Sequence, residues 1–254
     1  FFPQLREKGF LHPDWSDAAA GIYAICCGTI KKVLLADAFG TVVNNGWVHL
    51  EELSAPAAWL VILGYTLQLY FDFSGYCDIA AGVARLFGLR LPMNFDSPYR
   101  SASVTEFWRR WHMTLGSFFR DYAYIPLGGN RRHQALNIFT VWFLTGMWHG
   151  ASWNFIIWGL YFGTILALEK VSIIKWQKHI PNVLLRLYAL FIVVVGWGIF
   201  YFDNFDKMKL WFSSAFGQKS LEFGFQDEMA EVIGKLPALR RRFLLSATDA
   251  EEIP

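Results

Sequence analysis

The chain has 254 residues, of which 54% are hydrophobic and 18% are aromatic, and this composition is too apolar for an ordinary soluble domain. Its formal net charge of +2 argues against a nucleic-acid-binding protein, which needs many basic residues to neutralise phosphates. The three cysteines lack the spacing of metal ligands and cannot form a disulfide framework. These features indicate a membrane protein.

The chain begins at Phe1 in a loop-like sequence, and we expect it to be a fragment. Its first apolar region runs from Ala18 to Phe39 and has a helical pattern, interrupted by Lys31 and Lys32. Lysine side chains can reach a membrane surface while their stems stay on apolar surface. This region therefore favours a tilted or interfacial helix over a simple membrane span.

The second apolar region, Ala57 to Leu86, is long enough to cross a bilayer. It contains Asp72 and Asp78, which point in different directions unless Gly75 breaks the helix. The spacing argues against a pair of carboxylates that share acid–base work. It favours aspartates that pair with neighbouring helices or with arginine side chains.

Between Arg85 and His133 the sequence holds eight arginines and three acidic residues, and the positive-inside rule places this segment on the cytoplasmic face. Ser103-Val104-Thr105-Glu106 has the form of a capping box and predicts a helix that starts at Ser103. The segment from Pro126 to Gly129 contains turn residues that end this helix. Apolar residues at three- and four-residue spacing predict one amphipathic helix at the membrane interface: Phe107, Trp111, Leu115, Phe118 and Tyr122.

The third apolar region, Ala135 to Leu168, contains no Asp, Glu, Lys or Arg, yet His149 lies near its centre. Because ~20 apolar residues span the hydrocarbon core, this region is long for one span. Gly150, Ser152 and Asn154 predict a break into two helices or a re-entrant turn. An ionisable group in such a segment indicates a functional site. The alternative is a histidine that donates one hydrogen bond to a neighbouring helix.

A fourth apolar region, Val183 to Phe202, is a further candidate span. After Gly217 the sequence becomes charged. We predict a membrane domain over residues 1–217 and a charged tail over residues 218–254, which either stays mobile or forms a short helix around Met229 to Leu245.

His112 and His149 both lie in aromatic surroundings. Gly146 and Gly150 have the G-x-x-x-G spacing that allows close helix packing beside the second imidazole. A neutral imidazole can take the proton of an attacking alcohol, and a tryptophan N–H, a second histidine or an arginine can then stabilise the oxyanion. For His112, a contact with lipid headgroups is an equal alternative. No pair of histidines has the spacing of a zinc helix, so no metal site is predicted.

Several short motifs follow one another along the chain, and in this order they resemble the membrane-bound O-acyltransferase (MBOAT) superfamily. The resemblance is to the bacterial alginate O-acetyltransferase branch, with the teichoic-acid D-alanyl transferases as more distant members, and it runs from Phe1 to about Gly217. The motifs are Gln68-Leu69-Tyr70-Phe71-Asp72-Phe73-Ser74-Gly75-Tyr76, Asn94-Phe95 with Pro98-Tyr99, Glu106-Phe107-Trp108-Arg109-Arg110-Trp111-His112, Arg120-Asp121-Tyr122, Tyr124-Ile125-Pro126-Leu127-Gly128-Gly129 and Trp148-His149-Gly150.

The resemblance implies an all-α, polytopic fold in which tilted helices surround a tunnel, with part of the family's membrane domain present here. It implies His149 as the catalytic residue and His112 as the second functional position. Acyl donors would enter from the cytoplasm, and the acceptor would lie on or beyond the outer face. Periplasmic partner proteins would complete the acetylation.

We therefore expect a multi-pass protein of the bacterial inner membrane that moves an acetyl group toward hydroxyls of an exported polysaccharide such as alginate. The acyl donor, a thioester or an acylated carrier, is a substrate, and we predict no bound cofactor, metal ion or nucleic acid. Candidate substrate-binding residues are Trp148, Arg110, Asp72 and Asn154.

Three alternatives stay open. The first is transfer of D-alanyl or another acyl group to a different envelope polymer. The second is a transporter or proton path that uses Asp72, Asp78 and His149. The third is a membrane scaffold without catalytic activity.

Overall fold

The fold is mainly helical in the part of the chain that the computed structural model describes, namely Gln4 and residues 14–150, 152–170 and 179–217. In these ranges the extended pairing is an isolated antiparallel bridge between Phe95 and Trp111. The all-α prediction is confirmed for these ranges. The predicted tail, residues 218–254, lies outside the described residues.

The first long helical segment comprises α1 (Trp15–Ile30), a π-helical stretch (Lys31–Ala36) and α2 (Asp37–Val48). Asp14 caps its start, because its carboxylate accepts the backbone N–H of Asp17 at 2.7 Å. The following helix α3 (Ala55–Leu86) has 32 residues and continues through the Gly75 position without a break.

Ion pairs join these two segments. Lys31 Nζ lies 2.6 Å from Asp78 Oδ2, and Lys32 Nζ lies 2.8 Å from Asp72 Oδ1. The expectation that the two aspartates pair with a neighbouring helix is confirmed, with lysines rather than arginines as their partners. Both lysine charges therefore have partners within the protein, and the expectation of a tilted or interfacial helix stays a prediction.

Two pairs of glycines let α1 and α3 approach closely. A Cβ atom on Gly28 would lie 2.5 Å from the carbonyl oxygen of Gly75, and one on Gly75 would lie 2.7 Å from the carbonyl oxygen of Gly28. Gly21 and Gly82 face each other in the same way. Since small residues permit such contact, the helices pack backbone against backbone.

The segment after α3 departs from the prediction. Instead of one amphipathic helix, the chain forms α4 (Val104–Arg110), α5 (Met113–Phe119) and a π-helical turn (Arg120–Tyr124). His112, between α4 and α5, has left-handed backbone angles (φ 47°, ψ 53°), which cost a non-glycine residue about 1–3 kcal/mol.

The physical reason for this break is a pairing with a distant segment. The N–H of Asp96 donates to the carbonyl of Arg110 at 3.0 Å, and the N–H of Met113 donates to the carbonyl of Asn94 at 3.0 Å. These bonds stabilise the chain in a non-helical conformation at Trp111 and His112. The predicted helix start is confirmed, because Ser103 Oγ accepts the N–H of Glu106 at 3.0 Å.

A helical hairpin follows. It consists of α6 (Gln134–His149) and α7 (Trp153–Leu168), so the predicted division of the third apolar region into two helices is confirmed. A Cβ atom on Gly146 would overlap the carbonyl of Phe155, and one on Gly159 would overlap the carbonyl of Trp142. The two helices are therefore antiparallel and in close contact.

The final described helices are α8 (Asn182–Tyr201) and α9 (Phe205–Phe216). Among the described residues, Trp15–Val48 and Asn182–Tyr201 are long and apolar enough to cross a membrane. One core cluster surrounds Trp211 between α2, α3, α8 and α9, and a second surrounds Trp158 and Trp197 between α4, α7 and α8.

The glycine contact between α1 and α3 gives a test of the packing. Gly28→Ala should destabilise the protein by about 1–3 kcal/mol, because its Cβ atom would meet a backbone carbonyl that cannot move independently. Gly116→Ala is the matched control, since its Cβ atom would lie 3.8 Å from the nearest backbone carbonyl oxygen, that of Trp108, which is an ordinary contact distance. Thermal unfolding of the protein in detergent measures both variants, and equal midpoints would contradict the packing described here.

Candidate active site

A cavity of about 430 Å³ lies between the α4–α5 segment and helices α6, α7 and α8. Most of its lining is apolar, and aromatic rings predominate. Such a cavity, with a few convergent polar groups, is typical of a small-molecule site. The aromatic residues that line it are Phe73, Trp108, Trp111, Phe119, Tyr124, Trp142, Trp158, Trp197 and Phe200.

His112 and His149 both line this cavity, although they are far apart in the sequence. His149 is the last residue of α6, and its ring packs edge-on against Trp158 at a centroid distance of 5.1 Å. The ring of His112 packs edge-on against Phe73 at 4.7 Å. Both side chains are half-buried, so each imidazole has packed neighbours and a face that reaches the cavity.

The imidazole of His112 is neutral at physiological pH. Burial lowers the pKa of His112 to about 4, because the charged form loses its hydration. A neutral imidazole has one nitrogen lone pair that can accept a proton or a hydrogen bond. The environment therefore favours the neutral imidazole, which can accept a hydrogen bond, over an imidazolium paired with an anion.

Glu169 joins α4 to α7, two of the helices that surround the cavity. It follows α7 directly and is completely buried. Its carboxylate accepts the backbone N–H groups of Val104 and Thr105, both at 2.8 Å, and the hydroxyl of Thr105 at 2.6 Å. A carboxylate at a helix N-terminus satisfies free N–H groups and interacts favourably with the helix dipole. This contact fixes α4 against α7.

Sequence reasoning missed the role of Glu169. The residue is the first charged one after the uncharged region that ends at Leu168. That position indicated the end of the apolar region, whereas the local sequence contains nothing that identifies Val104 and Thr105 as its partners.

Three basic side chains also line the cavity: Arg109, Arg120 and Lys170. Arg120 additionally pairs with Asp121 at 2.7 Å, and this guanidinium lowers the pKa of the Asp121 carboxyl. Arginine and lysine bind phosphates through charge-assisted hydrogen bonds. The cavity thus combines aromatic walls, two imidazoles and cationic groups.

Several of the indole nitrogens in the cavity wall lack hydrogen-bond partners in the described part of the chain. The Nε1 atoms of Trp108 and Trp158 are buried without an acceptor in the described part of the chain. Both tryptophans line the cavity. Because a buried donor without a partner is costly, these N–H groups are candidates to donate to a carbonyl or an oxyanion.

None of the four residues predicted to bind substrate is among those that line this cavity. Trp148 is 56% exposed, and its ring lies 4.9 Å from that of His149 and 6.1 Å from that of His112.

The other three have partners within the protein. Arg110 pairs with Glu106 at 2.9 Å, and Asp72 pairs with Lys32. Asn154 is buried and donates to the carbonyl of Phe200 at 3.0 Å. A substrate-binding role for these residues stays a prediction.

Comparison with known proteins gives a family match over most of the chain. Residues 3–206 match the model described as "MBOAT, membrane-bound O-acyltransferase family". The chain is 38% identical to a peptidoglycan O-acetyltransferase from Helicobacter pylori, over 81% of this chain and 40% of that protein. It is 45% identical to a probable alginate O-acetylase AlgI from Azotobacter vinelandii, over 74% of this chain and 38% of that protein.

A more distant similarity extends to a teichoic acid D-alanyltransferase from Bacillus subtilis, with 28% identity over 70% of this chain and 47% of that protein. The chain therefore spans less than half the length of each of these curated relatives.

The buried carboxylate gives the prediction of this section. Glu169→Leu should destabilise the protein by about 2–4 kcal/mol, because it leaves buried backbone donors at the start of α4 without an acceptor. Thr105→Val, which removes only one of the three hydrogen bonds, should cost less. Thermal unfolding in detergent ranks the two variants. A Glu169→Leu midpoint equal to that of the wild type would show that the contact does not hold α4.

Proposed function

This chain belongs to the membrane-bound O-acyltransferase family, and we propose that it is part of an enzyme that moves an acetyl group toward hydroxyls of an exported polysaccharide such as alginate. One observation carries the proposal, namely that His112 and His149 line the same aromatic cavity. Relatives named as O-acetyltransferases of two polysaccharides support it. The acetyl group and the polysaccharide belong to this proposal, since the chain covers only part of each relative.

The proposed chemistry is acyl transfer by general base catalysis. His149 takes the proton of the attacking hydroxyl as the oxygen forms a bond to the acyl carbon. The carbon–sulfur bond of the thioester breaks, and the thiolate leaves and takes up a proton. His112 assists, and the indole N–H groups of Trp108 and Trp158 are candidates to stabilise the oxyanion. The aromatic walls exclude water, which would otherwise hydrolyse the thioester.

The basic side chains support a donor that carries phosphate. Arg109, Arg120 and Lys170 line the same cavity as the two imidazoles. A thioester on a phosphorylated pantetheine arm combines an apolar arm with such an anionic group. We therefore propose a thioester or an acylated carrier as the donor substrate, with no bound cofactor.

The proposal includes a membrane arrangement. The protein would cross the bacterial inner membrane several times, with tilted helices around a tunnel and residues 85–133 on the cytoplasmic side. Two long apolar helices and the arginine-rich composition of residues 85–133 support this arrangement. Periplasmic partner proteins would receive the acyl group or present the acceptor polymer.

A second acyl transfer remains a candidate. Similarity to a teichoic acid D-alanyltransferase supports transfer of D-alanyl to a different envelope polymer. Vesicles supplied with either acetyl or D-alanyl thioesters distinguish the two, because only the correct donor releases its thiol. Solute or proton flux without thiol release would instead favour a transporter.

The histidines give the direct test. His149→Ala in the full-length protein should lower polysaccharide acetylation by about 10²- to 10⁴-fold, because the proton acceptor is lost. His112→Ala should also lower it. His49→Ala is the matched control, since this exposed histidine lies in another part of the fold. Alkali-released acetate from the exported polymer measures the effect, and retained acetylation in His149→Ala would refute the assigned role.

The basic side chains give a second test. Lys170→Gln and Arg109→Gln should each raise the KM for acetyl-coenzyme A about tenfold, because each removes one charge-assisted contact to phosphate. The KM for acetyl-pantetheine, which lacks phosphate, should stay the same. Arg132→Gln, outside the cavity lining, is the control. Equal effects on both donors would contradict a phosphate contact.

A further inference from the structure

Asn94 contacts the His112 region through both its backbone and its side chain. Its carbonyl oxygen accepts the N–H of Met113 at 3.0 Å, and its side-chain Oδ1 lies 3.3 Å from Nδ1 of His112. The backbone contact helps to hold His112 in its left-handed conformation. The side-chain contact reaches the imidazole itself.

The remaining partners of Asn94 determine the orientation of its amide. Oδ1 also faces the backbone N–H of Thr114 at 3.1 Å and the hydroxyl of Thr114 at 2.7 Å. Because a backbone N–H can only donate, the atom that faces it must be the amide oxygen. The amide nitrogen lies 3.4 Å from Sγ of Cys77, which is a weak acceptor. The flipped amide would place two donors against each other.

This orientation determines which imidazole nitrogen carries the proton. An amide oxygen only accepts, so Nδ1 of His112 must donate, and Nε2 holds the lone pair. We propose that Asn94 is a positioning residue that holds His112 as the Nδ1–H tautomer and leaves Nε2 to accept from a reactant in the cavity. This inference rests on the proposed acyl transfer.

The positions of His112 and Asn94 support an arrangement in which Nδ1 of His112 contacts Asn94 and Nε2 faces a reactant. His112 lines the cavity that it shares with His149. Asn94, Thr114 and Cys77 line a second cavity of about 490 Å³. Nδ1 is therefore engaged by a residue that lines the second cavity, and a reactant in the first cavity would meet the other nitrogen.

A charge at position 94 should change the titration of His112. Burial lowers the pKa of His112 to about 4, and Asn94→Asp should raise this pKa, because a nearby carboxylate stabilises the imidazolium. The variant keeps an oxygen acceptor at the same place, so the tautomer is retained. The surrounding titratable and charged groups are Arg109, Arg120, Tyr124, His149 and Lys170 on the first cavity and Lys31, Tyr70, Tyr76, Cys77, Asp78 and Arg85 on the second. Of these groups, Cys77 loses a hydrogen bond from the amide nitrogen in the variant.

The experiment uses full-length protein in membrane vesicles, with acetyl-coenzyme A as the donor and thiol release as the readout. Asn94→Leu should lower kcat by about 10- to 100-fold and leave KM within about twofold, because the tautomer is no longer fixed. Asn94→Asp should retain activity at neutral pH and move the acidic limb of the pH profile up by about 1–2 units.

Asn137→Leu is the matched control. This buried asparagine donates to the carbonyls of Gly129 and Arg132 and does not contact either histidine. With rates normalised to folded protein, it should leave kcat and the acidic limb unchanged.

Wild-type kcat in Asn94→Leu, or a wild-type acidic limb in Asn94→Asp, would overturn the inference. If Asn94→Leu does not fold, the pH profile of Asn94→Asp decides. An active His112→Ala variant would count against the proposed function itself, whereas an inactive His112→Ala with unaffected Asn94 variants would overturn only the role of Asn94.

Discussion

The buried carboxylate of Glu169 is the contact on which the geometry of the site depends. An ionised carboxyl group in an apolar interior is stable only where hydrogen bonds replace its hydration. Here the start of α4 supplies them through Val104 and Thr105. Because α4 leads directly to His112 and α7 forms a hairpin with the helix that ends at His149, one carboxylate fixes the two halves of the cavity relative to each other.

The same requirement explains the other polar contacts of this apolar chain. Lys31 and Lys32 satisfy Asp78 and Asp72 across two long helices, and Asn94 satisfies the N–H groups at the break before α5. Each polar group in these positions has a partner from a distant part of the sequence. The result is a scaffold around a cavity whose polar lining groups include the two imidazoles, three basic side chains and indole N–H groups.

Local sequence patterns predicted much of this fold. The break near Gly150 and the cap at Ser103 follow from residue types that act within a few positions, and both are present. The helical break at His112 could not be predicted, because the apolar spacing continues through it and the cause is a backbone pairing with Asn94 and Asp96. The two histidines were identified from the motifs, whereas the roles of Glu169 and Asn94 depend on non-local contacts.

The most direct test of the shared cavity is a structure of the full-length protein in a lipid bilayer with a thioether analogue of the acetyl donor, which cannot transfer its acyl group. The account predicts that the analogue's acyl end lies between His149 and His112, with its phosphate groups beside Arg109, Arg120 or Lys170. An analogue bound elsewhere, or a cavity closed by packed side chains with no passage to His149, would contradict it.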